Sequence, residues 1–366
     1  MKRILFPVSL LILGTGPSRQ ESPRVPFVDS GQKLGDTRTF LVVPGDLDDD
    51  GDEDALVLDF LGPSHVWLND GAGHFVDSGQ RVGEEGGHGA AVGDLDGDGD
   101  LDVFFVHNGH TDRVFLNDGH GELEDSGQEL GGLEDWGTNV TLGDLDGDGD
   151  LDAYVTVYRG SGNLWINDGA GRFTDADRSL EGHATSVAFG DVDADGDLDA
   201  IATYSGLADR VWLNDGAGVL VDSGQRLGPV EGWGYVELGD LDGDGDLDAA
   251  VTNNETGNEV WLNDGAGVFV SRRRFFGTGA RLALGDLDGD GALDIMASDN
   301  AERTCRFWLN DGRSGFTGGG SLVGTPGVLS VSLADVDGDG DPDALLGMME
   351  GSGENRVLLN RRPAAR

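Results

Sequence analysis

The sequence predicts an all-β fold, a seven-bladed β-propeller of four-stranded blades. Three observations predict it. An acidic phrase recurs seven times at a blade-sized spacing. Short apolar runs recur between the phrases with no helical period. A strand without a partner at the start of the chain matches a missing strand at its end.

The phrase reads GDLDDDGDED at 45–54, GDLDGDGDLD at 93–102 and again at 143–152, and GDVDADGDLD at 190–199. It continues as GDLDGDGDLD at 239–248, GDLDGDGALD at 285–294 and ADVDGDGDPD at 334–343. Its first aspartates lie 46 to 50 residues apart, which suits one four-stranded blade per repeat.

Each repeat divides into the same pieces. A first strand enters the acidic loop (SVAFG, 186–190) and a second leaves it (DAYVTVY, 152–158). After a variable polar loop, a third strand ends in an apolar-Asn-Asp phrase such as VWLND at 66–70 or LWIND at 164–168. A DGxG turn follows, with the Gly and Asp that tight hairpins favour. A fourth strand ends the unit, as in HFVDSGQRVG at 74–83. The last repeat has a third strand, RVLLN at 356–360, and no fourth. PFVDSGQKLG at 26–35 has no third strand before it. Pairing about 26–33 with 356–360 completes the last blade and closes the ring.

The propeller is therefore expected to span 26–360. Residues 1–18 read as a signal peptide: Lys2 and Arg3, a short apolar run over 4–13, then Gly14, Thr15 and Gly16. That run is too short to span a bilayer. Residues 19–25 read as a linker and 361–366 as a tail. A secreted or cell-envelope protein is expected. Cys305 is the only cysteine, so no internal disulfide is possible and metal is the expected source of added stability.

Read as D-x-D-x-D-G-x-x-D, each phrase is a candidate calcium loop. Calcium takes roughly six to eight oxygens, from carboxylates and backbone carbonyls. Aspartates at places one, three and five of a curled loop converge, and Gly at place six permits the sharp turn. Place seven needs to give only its carbonyl, consistent with Ala292 standing there in the sixth loop. Aspartate at place nine closes the shell. The candidate ligands are Asp46, Asp48, Asp50, Asp52 and Asp54; Asp94, Asp96, Asp98, Asp100 and Asp102; Asp144, Asp146, Asp148, Asp150 and Asp152. The later loops contribute Asp191, Asp193, Asp195, Asp197 and Asp199; Asp240, Asp242, Asp244, Asp246 and Asp248; Asp286, Asp288, Asp290, Ala292 and Asp294; and Asp335, Asp337, Asp339, Asp341 and Asp343. About seven Ca²⁺ ions are expected. An EF-hand is excluded, because that motif needs Glu at place twelve and flanking helices. Zinc would call for His or Cys.

These phrases resemble the FG-GAP and VCBS repeats, the family that includes the integrin α-subunit propeller. ATSVAFGDVDADGDLDAIA at 184–202 and NDGAGVF at 263–269 carry the likeness. The resemblance implies a seven-bladed propeller with Ca²⁺ held between the first and second strands of each repeat. It implies adhesion or ligand recognition, or a place beside an enzymatic domain. Tyr204-Ser205-Gly206 stands where a GAP tripeptide would, so integrin-type adhesion is not carried over.

Charge narrows the partners. Lys and Arg total 24 against 69 Asp and Glu, a net charge of −45. Nucleic acid and anionic membrane surfaces would be repelled. Strand direction puts the acidic loops and DGxG turns on one face. The opposite face carries the more variable loops, where scaffolds place specificity. Trp136, Trp233, Tyr158, Arg159 and Tyr204 are the candidate ligand-binding residues there, either stacking on sugar or peptide groups or plugging the channel as core. Trp67, Trp165, Trp212, Trp261 and Trp308 recur in phase on third strands and are expected to pack between blades. His88, His107 and His110 fall near one another in the second repeat, as a transition-metal set or as plain loop histidines. No nucleophile elbow, Ser/His/Asp set or phosphate loop is present. The expected function is a non-catalytic, monomeric binding or adhesion module for an extracellular glycan or protein. The alternative is a polysaccharide lyase or hydrolase acting from the variable face.

Overall fold

The computed structural model describes residues 25–107, 109–132, 136–275, 277–299, 304–322, 325, 327–349 and 354–362. The signal-peptide reading of 1–18 lies outside these residues, as does the tail beyond 362. Seven four-stranded antiparallel sheets form the blades of a propeller, and no helix occurs among the described residues. Six blades take their strands in chain order. The seventh is completed from the far end of the chain: Phe27–Lys33 lies beside Arg356–Asn360, with Phe27 opposite Asn360 and Lys33 opposite Arg356. The predicted closure is thus present.

The second strand of each blade, such as Asp54–Asp59 or Asp102–His107, is buried along its whole length. This explains why ALVL and VFFV are unbroken apolar runs, since a strand covered on both faces has no polar side to show. Seven apolar clusters result, one at each blade junction. Leu95, Phe104 and Val106 of the second blade, for example, pack on Val140, Val155 and Trp165 of the third. Trp165, Trp212 and Trp308 are buried in such clusters, and Trp67 and Trp261 pack against others. The expectation for these five indoles holds.

The fourth strands are polar and irregular. In Phe27–Lys33 and Val76–Val82 the Asp-Ser-Gly phrase makes a bulge: Gly31 and Gly79 have φ of 80° and 86°, and their N–H groups donate to Asp29 and Asp77 at 2.8 Å. Bulges of this kind blunt an exposed sheet edge.

The first strands surround the axis. Each ends in Gly, except Ala334 in the last blade. A Cβ at Gly93 would stand 2.7 Å from Leu151 of the next blade, and one at Gly190 would stand 2.6 Å from Leu247. The glycine that opens each GDLD phrase therefore lets neighbouring blades approach. This positions the acidic loops side by side around one face.

Candidate metal centres

Each acidic loop is wound by its own first aspartate. One oxygen of Asp46, Asp94, Asp144, Asp191, Asp240, Asp286 and Asp335 accepts the N–H of the glycine at place six, at 2.8–3.1 Å. That glycine has φ between 86° and 101° in all seven loops. Place four is also left-handed throughout: glycine in five loops, Asp49 (φ 56°) and Ala194 (φ 61°) in the others. The sequence reading identified the first bend and missed the second. The fifth aspartate accepts the N–H of place seven at 2.9–3.1 Å in every loop.

The ninth aspartate does more than close a shell. Asp54, Asp102, Asp152, Asp199, Asp248, Asp294 and Asp343 are at most 1% exposed. One oxygen accepts the N–H of place two at 2.8–3.1 Å. The other accepts the backbone N–H of the asparagine ending the third strand at 2.6–2.9 Å. Burial pushes these carboxyls up, to about 7 in Asp54, Asp294 and Asp343 and about 6 in the other four, against the lowering effect of the two N–H bonds.

The aspartate at place three is left unsatisfied in six of the seven loops. Asp48, Asp146, Asp193, Asp242, Asp288 and Asp337 each hold a buried Oδ1 with no hydrogen-bond partner. Burial, then the neighbouring carboxylate at place five, raises the pKa of all seven residues at this place. In the second to fifth loops, oxygens of places one, three and nine lie within 4.8 Å of one another. In the first loop Asp46, Asp48 and Asp50 do so. A buried, unpartnered carboxylate oxygen beside other carboxylates is costly unless a cation joins them. The donor set is all oxygen, which fits calcium.

Place seven is different. A Cβ on Gly71, Gly119, Gly169, Gly216 or Gly265 would collide with Asp52, Asp100, Asp150, Asp197 or Asp246. These carboxylates lie against the turn glycine of their own blade. Ala292 leaves Gly312 free of that contact. In the last blade, where no turn follows, Asp341 meets Arg362, and Arg361 meets Asp337.

An FG-GAP-like repeat model matches residues 46–105, 94–155, 191–251, 240–297 and 286–346, each match spanning one acidic loop and reaching the next. The chain belongs to the FG-GAP-like repeat family. A search of curated protein sequences finds no match. Among solved structures, this FG-GAP chain is similar to BBS1N in complex with ARL6DN. In the lead-soaked crystal the TM-score is 0.63 at 12% identity, over 93% of this chain and 99% of that one. The mercury-soaked crystal gives 0.63 at 11% identity over the same shares. The computationally designed Ika8 protein gives 0.52 at 14%, over 89% and 99%. At these identities the likeness is one of fold.

On the opposite face of the FG-GAP propeller, four of the five predicted ligand residues gather across blades three to five. Tyr158, Arg159 and Trp233 line a hollow of about 470 Å³ together with Phe40, His183 and Tyr235. Trp136 stacks on Tyr158 with centroids 6.1 Å apart, and both rings are half exposed. Tyr204 is corrected: it is 2% exposed, a core residue whose hydroxyl accepts the Trp212 Nε1–H at 3.0 Å. The three histidines do not converge. His88 stacks on Phe40 at 4.6 Å, where burial and then Arg281 lower its pKa to about 4. His107 and His110 line a separate hollow with Arg81 and Arg113.

Proposed function

We propose that this protein is a secreted, calcium-stiffened binding module that presents its ligand site on the face opposite the metal loops. The observation that carries the calcium reading is the orphaned Oδ1 of the third aspartate, repeated in six blades. Bound calcium would neutralise the clustered carboxylates and supply the partner these oxygens lack. Asp46, Asp48, Asp50 and Asp54 would hold it in the first loop, with the place-seven carbonyl, and the equivalent residues in the other six. No catalytic step is assigned to the ion. Its chemistry is structural, tying the first and second strands of each blade together at their shared turn.

The ligand reading rests on the grouped rings of Trp136, Tyr158 and Trp233. Aromatic rings in and beside a hollow suit the apolar face of a sugar or a peptide side chain. No helix among the described residues is long and apolar enough to cross a membrane. The protein is read as a monomer.

Counting bound metal by mass spectrometry during chelator titration, while following heat unfolding, tests this reading. About seven calcium ions per chain and a large fall in unfolding temperature on their removal are expected. A metal-free protein equally heat-resistant in excess chelator would overturn it.

A further inference from the structure

The channel along the ring axis is a cavity of about 720 Å³. Small neutral residues such as Ala91, Thr141, Ala188 and Ser332 supply much of its wall, and two charged side chains, Glu237 and Arg281, interrupt it from adjacent blades. Arg281 belongs to the layer nearer the ligand face, level with Leu41, Gly89, Asn139, Ser186 and Ser330 in other blades.

Arg281 is only 8% exposed. Its guanidinium lies 4.6 Å from the centroid of Tyr235 and 5.4 Å from that of Phe40. Aromatic faces attract the charge but accept no N–H bond in the ring plane. Its Nη2 is buried and has no hydrogen-bond partner. Glu237 is exposed to the same channel on the adjacent blade and acts on it only through the longer-range field, which pulls that carboxyl down. A buried guanidinium nitrogen with no carboxylate or carbonyl in hydrogen-bond reach is costly. The chain has 69 acids for 24 bases, so composition does not explain the missing partner. An anion from outside that reached the guanidinium would supply the partner that Nη2 lacks.

The neighbouring hollow says which anion. It shares Phe40 and Tyr235 with the surroundings of Arg281, and it adds the rings of Tyr158 and Trp233 and the hydroxyl of Ser205. Rings with hydroxyl groups between them suit a sugar, whose C–H face stacks while its hydroxyls hydrogen-bond. A peptide acid bound by strand addition would need a free sheet edge. This mouth is built from strand ends and loops instead.

We propose that the channel mouth binds an acidic sugar, its carboxylate paired with Arg281 and its ring held in the hollow of Tyr158, Trp233 and Tyr235. The guanidinium turns about its terminal torsions to bring Nη2 to the ligand, giving the charge-assisted geometry that Arg forms with carboxylates. This inference rests on the binding-module reading and gives that module a ligand class.

The test uses the full calcium-loaded chain and a panel of glucuronate, galacturonate, mannuronate and guluronate oligosaccharides. Each is titrated calorimetrically beside its own methyl ester. At least one acid is expected to bind at least about tenfold more tightly than its ester. Arg281→Met should abolish that preference, and Arg281→Lys should restore part of it. Arg281→Met should unfold at the same or a higher temperature than the parent, which separates lost binding from lost fold. Equal binding of acids and esters, parent-like affinity in Arg281→Met, or no acid bound would each overturn the proposal. An array of neutral glycans and proteins on the same preparation distinguishes the two readings. Neutral binding that Trp233→Ala removes and Arg281→Met spares ends the acidic-sugar proposal and keeps the module. Binding of nothing at all ends both.

Discussion

The Nδ2 of Asn69 donates to the carbonyl oxygen of Val336 at 2.8 Å, joining the first blade to the last across 267 residues. The same bond recurs at every junction. Asn117, Asn167, Asn214, Asn263, Asn310 and Asn360 each reach the place-two carbonyl of the preceding blade's acidic loop at 2.7–2.9 Å. Since the backbone N–H of each asparagine also bonds the aspartate at place nine of its own loop, one residue couples two neighbouring acidic loops. Asn117→Ala should therefore cost about 1–3 kcal/mol, because it leaves the Leu47 carbonyl buried without its donor. Urea unfolding in excess calcium measures it, and a change within error would remove the latch from the account.

Closure of the last blade can be tested separately. Asn355 holds the join from inside: its Oδ1 accepts the Met348 N–H at 2.9 Å, and its Nδ2 donates to Leu34 O at 2.6 Å and Thr39 Oγ1 at 2.8 Å. Removing Phe27–Lys33 should expose the edge of Arg356–Asn360, lower the unfolding temperature and promote association through that edge. Light scattering and calorimetry on the shortened chain check both effects. A monomer of unchanged stability would contradict the closure.

Much of this was legible because it repeats. Period gave the blade count, and the stray 26–35 phrase gave the closure. What escaped was what needs the ring itself. The Asn of each ND phrase is visible in sequence, but its partner stands about seventy residues earlier and is found only when blades are adjacent. Arg281 is unremarked until the inner strands are set in register and its neighbours in that layer prove small or neutral. Tyr204 ends a second strand and does not lie in the loop beyond it, and its hydroxyl finds the Trp212 indole inside, a pairing that no local pattern announces.

The glycine before each loop predicts a steric effect. Gly93→Ala would place a Cβ 2.7 Å from Leu151 Cδ1 and 3.3 Å from Leu142 Cδ1 of the next blade. Leu151 is a side chain and can yield in part, so a cost of about 1–3 kcal/mol is expected. Gly99→Ala meets no atom within 4 Å but must hold φ near 101°. Its penalty should instead follow the bend of the loop and appear in calcium affinity. Comparing the two variants by calcium titration and by urea unfolding separates blade packing from loop shape.

Asp209 supplies the pH test. Burial raises its pKa to about 7, Glu259 adds to the rise, and the Tyr204 N–H, which its Oδ1 accepts at 3.0 Å, offsets part of it. The folded chain therefore holds this proton above the pH at which the unfolded chain, with a carboxyl near 3.8, releases it. Between those values the native state binds more protons, so this residue's contribution to stability falls as pH rises and is fully lost above about 7. Asn258 and Asn355 fill the same role in blades five and seven, accepting the N–H of Asn253 and Met348. Asp209→Asn should keep the bond and lose the titration. Its stability relative to the parent should rise by about 2–4 kcal/mol between about pH 5 and about pH 8, both measured in saturating calcium. Taking the difference between the two proteins cancels the carboxyls they share. A difference that stays flat, or falls, across that interval would mean that Asp209 is ionised in the folded chain at both values.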